Sequence, residues 1–170
     1  AMRYLGSPNV DNAARVCHAP STGALRSSLG VGATTISYTD LFESDLVVLW
    51  GTNTLTANPH LWPFVRKARD RGARVVCIDP VRTRTADQCD EWIAIRPGTD
   101  GALALAMMHV IFADGLQDDD FIARYTLGAD QLRALVPEYS PANVAAITGL
   151  SAERIVALAR EYGSARAAFV

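Results

Sequence analysis

Apolar and polar residues along this chain follow two rhythms. Leu46-Val47-Val48-Leu49-Trp50 is an unbroken apolar run with charge before it and Gly51 after it. Such a run fits a strand buried on both faces. Residues 73–78, ending at Asp79-Pro80, read the same way, and a third strand covers residues 91–95. Between the first two strands, Leu61, Phe64, Val65 and Ala68 recur on one helical face, with Arg66, Lys67, Arg69 and Asp70 on the other. Pro59 suits the first turn of that helix, and Gly72 closes it. Strand, helix and strand joined by short loops form a βαβ unit, which requires a parallel pair.

The helical rhythm takes over after residue 100. Thr99-Asp100 is expected to cap an apolar helix over residues 101–113, followed by helices over 118–125, 129–136, 141–147 and 152–162. Ala167-Ala168-Phe169-Val170 reads as a strand cut mid-run. Ahead of the first strand, residues 21–29 are small and helix-permissive, ending at Gly30, and residues 39–43 read as one helical turn. The expected fold is α/β, a three-layer Rossmann-like domain with a parallel sheet and helices on both faces. Residues 1–170 read as a single domain excised from a longer protein, with Ala1-Met2 as a cloning remnant.

Composition narrows the classes. The 170 residues are 49% hydrophobic and 20% charged, which suits a packed core rather than disorder. A net charge of -2 gives no basic footprint for nucleic acid. No apolar run approaches the ~20 residues of a bilayer span, so no direct membrane span is expected. Cys17, Cys77 and Cys89 are an odd, unpaired set without a CxxC, which is not a disulfide framework or a local zinc knuckle. A reducing compartment follows, the cytoplasm, with the periplasm as the alternative.

Ligands of wound parallel sheets sit outside the carboxyl ends of the strands. Three loops lie there: Gly51-Thr52-Asn53, Asp79-Pro80 and Pro97-Gly98-Thr99-Asp100. Gly51 permits close backbone approach, and Asn53 offers a donor and an acceptor. Either could equally serve an ordinary turn. Asp79 can accept from a ribose or a guanine edge, or cap a turn. Arg82, Thr83 and Arg84 can donate to phosphate oxygens, or form a solvated loop. The glycine pattern is not GxGxxG, which disfavours ordinary NAD binding. Cys17 is a soft metal ligand or a buried small hydrophobe, and His18 a proton acceptor or a hydrogen-bonded bystander. His60, His109 and the three tryptophans read as packing residues.

Taken together, these segments resemble the molybdopterin oxidoreductase family of the dimethyl-sulfoxide-reductase type. The resemblance rests on Ile78-Asp79-Pro80 through Thr85-Ala86 to Ile95-Arg96-Pro97-Gly98-Thr99-Asp100-Gly101-Ala102-Leu103-Ala104. Leu49-Trp50-Gly51-Thr52-Asn53 and Thr148-Gly149-Leu150-Ser151 extend it over residues 10–170. Within the family, Arg15-Val16-Cys17-His18-Ala19-Pro20-Ser21 resembles the catalytic segment of formate dehydrogenases. The nitrate reductases of the same branch typically lack the histidine.

The resemblance implies a bis-molybdopterin guanine dinucleotide carrying molybdenum or tungsten. It implies Cys17 as metal ligand, and Cys17 and His18 as catalytic residues. Gly51, Asn53, Asp79, Pro97, Gly98 and Asp100 would bind one nucleotide. It further implies formate as substrate, electron-transfer subunits or domains as partners, and a [4Fe-4S] cluster upstream. The cluster cysteines and the downstream arginine that orients formate in relatives are not among these 170 residues. Other readings are a nitrate reductase, a non-catalytic respiratory-complex relative, or a plain nucleotide-binding module.

Overall fold

The structure is a computed structural model that describes residues 4–170. Ala1-Met2 therefore lies outside the described residues. The chain divides into two compact units, Ala1–Ser37 and Tyr38–Val170.

In the first unit, a 3-10 turn at Ala13–Arg15 precedes helix α1, His18–Leu29. The helix begins three residues earlier than its composition predicts. Pro20 sits inside the first turn, where a missing N–H costs nothing. The Cys17 carbonyl accepts from Ser21 N at 3.2 Å and Ser21 Oγ at 2.7 Å. No residue of α1 is buried.

The second unit is built on four parallel strands in the order β3-β2-β1-β4: β1 Leu46–Trp50, β2 Arg74–Ile78, β3 Glu91–Ile93 and β4 Ala168–Phe169. All five residues of β1 pair with β2, from Leu46 with Arg74 to Trp50 with Ile78. Successive side chains of a strand point to opposite faces. Hence Leu46, Val48, Val76, Ile78 and Ile93 enter one core, and Val47, Leu49 and Val75 the other. The first core is covered by α4 Asp100–Ala113, α7 Pro141–Thr148 and α8 Ala152–Ser164, through Leu103, Val144, Ile155 and Leu158. The second is covered by α3 Trp62–Asp70, through Val65 and Ala68, and by Leu41 of the turn Tyr38–Glu43. Helices α5 Asp119–Tyr125 and α6 Ala129–Leu135 contribute no buried residue. This is the expected α/β architecture, with helices on both faces.

Three local expectations change. The loop after β1 contains a short helix, α2 Thr54–Ala57, whose Leu55 N–H finds the Thr85 hydroxyl at 3.0 Å. Helix α3 starts at Trp62 rather than Pro59, with Pro63 in its first turn. Strand β3 stops at Ile93 because the chain then turns away, and Arg96 N donates to Thr148 O at the end of α7.

At the strand starts, Arg74 pairs with Glu91 and Glu161, and Arg154 pairs with Glu91. Those charges lie at the opposite end of the sheet from the loops considered next.

Candidate functional site

Parallel strands bring all their carboxyl ends to one edge, and here hydrogen bonds tie the edge together. Gly51 N donates to Ile78 O at 2.8 Å, and Asp79 N donates to Ile93 O at 3.2 Å. The tips of β1, β2 and β3 are thus joined in sequence. Gly51 takes φ +62°, and a Cβ there would meet nothing within 4 Å. Backbone conformation rather than lack of room therefore favours glycine. Gly98, exposed in the turn before α4, takes φ +77° for the same reason.

Asn53 is half-buried, and its Oδ1 accepts from Thr85 Oγ1 at 2.8 Å. Asp79 is 9% exposed; its Oδ1 accepts from Val81 N at 2.8 Å, a local turn that leaves the second carboxylate oxygen for other donors. The Asp79 carbonyl accepts from Trp92 Nε1 at 2.8 Å. Asp100 Oδ1 accepts from Trp50 Nε1 at 2.7 Å, across fifty residues of chain.

The cap expected of Thr99-Asp100 does not form. Thr99 Oγ1 donates to Arg96 O at 2.7 Å, and the Asp100 carboxylate is drawn to the indole. No side chain caps α4, and its first N–H groups are left to other acceptors. Pro97 is exposed in the same turn, which Arg96 holds by donating from Nη1 to Ala146 O at 2.6 Å.

The structure thus brings Gly51, Asn53, Asp79, Pro97, Gly98 and Asp100 to the carboxyl-end edge of one sheet. Cys17 and His18 belong to the first unit, at the start of α1, and both are exposed. Of the proposed phosphate donors, Arg82 is paired with Asp87 at 2.7 Å and lies over the Trp92 ring. Arg84 is exposed and has no ion pair among the described residues. His109 is a packing residue as expected, its Nδ1 3.0 Å from Val136 O.

Sequence reasoning missed Thr85, Trp50 and Trp92 as supports of this edge. Their partners lie 32, 50 and 13 residues away, so no local spacing announces them. The one available signal was a hydroxyl residue beside the apolar Ala86 in an otherwise polar loop.

The other two cysteines sit close behind the edge. The Cys89 thiol donates to Thr85 O at 3.1 Å and shares a hydrogen bond with Cys77. That shared bond, and then burial, pushes the Cys89 thiol far above its ordinary value, while it draws Cys77 down against the effect of burial. Cys77 is fully buried and Cys89 half-buried, whereas Cys17 is exposed. At pH 8, Ellman's reagent is expected to report one fast thiol, Cys17, with Cys77 and Cys89 reacting only on unfolding. Three fast thiols would contradict this packing.

The molybdopterin oxidoreductase family profile matches residues 1–163. The chain belongs to the molybdopterin oxidoreductase family. It is 36% identical over its whole length to the F420-dependent formate dehydrogenase 2 subunit alpha of Methanococcus maripaludis, covering 25% of that protein. It is 37% identical to formate dehydrogenase H of Escherichia coli, over 100% of this chain and 24% of that one. A nitrate reductase of Symbiobacterium thermophilum is 36% identical over 94% of this chain and 22% of its own length. The solved structure of acetylene hydratase from Pelobacter acetylenicus matches with TM-score 0.79 and 31% identity, over 98% of this chain and 23% of that one.

This chain therefore spans about a quarter of the curated relatives it matches. Formate dehydrogenases and a nitrate reductase match it at similar identity. Membership implies a molybdopterin cofactor with molybdenum or tungsten. The edge presents one amide, two carboxylates and helix N–H groups without a side-chain cap, polar groups of both senses that fit a polar portion of such a group. Among the described residues, no three His, Cys, Asp or Glu side chains converge as a metal cage. Among the described residues, no single helix is long and apolar enough to cross a membrane.

Proposed function

We propose that the parent protein is the catalytic subunit of a formate dehydrogenase, and that both units of this chain belong to its pterin guanine dinucleotide-binding region. The observation that carries the reading is the adjacent pair Cys17-His18, exposed at the first turn of α1. Full-length similarity to formate dehydrogenase alpha subunits supports it. The similar identity of a nitrate reductase favours a second reading, nitrate reduction.

In this reading, Asn53, Asp79 and Asp100 hold a guanine nucleotide at the strand tips. Gly51 and the Pro97-Gly98 turn let the backbone come close to it. When bound, the metal–pterin group supplies a two-electron acceptor for formate. Cys17 is its side-chain ligand, since a soft thiolate suits such metals and tunes their potential. As formate becomes carbon dioxide, an imidazole nitrogen of His18 takes the proton released. A [4Fe-4S] cluster elsewhere in the parent, electron-transfer subunits and a cytoplasmic location complete the reading.

The test uses the full-length parent protein purified with its metal. Formate-dependent reduction of a viologen dye is expected, with no oxidation of the reduced dye by nitrate. The opposite pattern replaces the formate reading with the nitrate one. An enzyme without molybdenum or tungsten removes both.

A further inference from the structure

Thr85 is a fully buried polar residue in the loop between β2 and β3. Its hydroxyl accepts from Leu55 N at 3.0 Å. That leaves it one proton to donate, and the atom opposite is Asn53 Oδ1 at 2.8 Å. A hydroxyl proton aimed at a carboxamide selects the oxygen and turns the NH₂ away. The Nδ2 end makes no hydrogen bond among the described residues, and it is not among their buried unpartnered atoms. The Thr85 hydroxyl also ties the first turn of α2 to the same point. Two groups of the segment after β1, the Asn53 amide and the Leu55 N–H, thus meet at one hydroxyl oxygen of the loop after β2.

We propose that Thr85 is a positioning residue for the strand-tip edge: it locks the Asn53 amide so that the ligand meets two N–H donors and no acceptor. The inference rests on the reading of Asn53 as a nucleotide contact. It narrows that reading, because the ligand must present an acceptor at this point. A phosphate oxygen or a purine carbonyl qualifies, and a purine amino group does not.

The test measures GDP, the nucleotide half of the expected cofactor, by calorimetry on the full-length protein prepared without cofactor. One neutral hydrogen bond contributes about 1 kcal/mol, so Asn53→Ala is expected to weaken GDP by about fivefold to tenfold. Thr85→Val keeps the shape but removes the hydroxyl, and should weaken GDP to a similar degree. The double variant should be no weaker than either single one, because both remove the same contact. Thr85→Ser should restore affinity to within about twofold, since the hydroxyl returns.

A merely structural role for Thr85 would lower the melting temperature without this pattern. If Thr85→Val binds GDP normally, or the two losses multiply, the positioning role is wrong while the edge reading stands. If the unsubstituted protein fails to bind GDP, or Asn53→Ala changes nothing, the reading of Asn53 fails and takes the positioning role with it. Asn53→Asp provides an arm independent of how Thr85→Val folds. The threonine still donates to one oxygen, and a carboxylate oxygen replaces Nδ2 toward the ligand. Its loss should exceed that of Asn53→Ala; an equal or smaller loss overturns the proposal.

Discussion

On the formate reading, full-length protein carrying Cys17→Ala is expected to lose formate oxidation by about a thousandfold or more, because a catalytic metal is worth several kcal/mol and ~1.4 kcal/mol is a factor of ten. The fold should not change. Cys17 is exposed, its side chain caps nothing, and its contribution to α1 is a backbone carbonyl that alanine keeps. Circular dichroism and the melting temperature are therefore expected to match the unsubstituted protein. Metal content, measured by mass spectrometry, should fall together with the rate. Cys17→Ser is a graded comparison, since an alkoxide is a harder ligand and suits a soft site less well. Retained metal with undiminished turnover would remove Cys17 from the metal's coordination.

On the same reading, His18→Ala in the same protein is expected to lower formate oxidation by about a thousandfold, the middle of the range for a positioned acid–base group. His18 is exposed at the first position of α1, and it has no hydrogen bond among the described residues to lose. Metal content should stay as it was, which separates this variant from Cys17→Ala. Imidazole added to the assay should restore part of the rate, because a free base can take the proton the missing side chain took. Full activity without any added base would assign the proton to another group.

Much of the architecture was legible because it depends on local apolar rhythm. Leu46–Trp50 and Arg74–Ile78 are strands because continuous β-branched and apolar runs suit a sheet covered on both sides. Their parallel pairing follows from the helix between them, which carries the chain back to the starting end of the sheet. The placement of Gly51, Asn53, Asp79 and Asp100 at one edge follows from parallel strands alone. The misreadings have one cause. Thr99 and Asp100 look like a cap in sequence, yet Arg96 O and the Trp50 indole compete for them and win. Thr54–Ala57 reads as loop, because the hydroxyl that satisfies its first turn comes from Thr85.

Sequence by itself determined the strands, the sense of the sheet, the family, and the neighbouring sulfur and imidazole at Cys17-His18. These are properties of nearest neighbours and of short periods along the chain. Tertiary structure alone decided which way the Asn53 amide faces, where the Asp100 carboxylate is held, and which cysteines lie close together. Each of those depends on a hydrogen-bond partner brought near by folding, and a directional bond of that kind leaves no periodic trace in the order of residues.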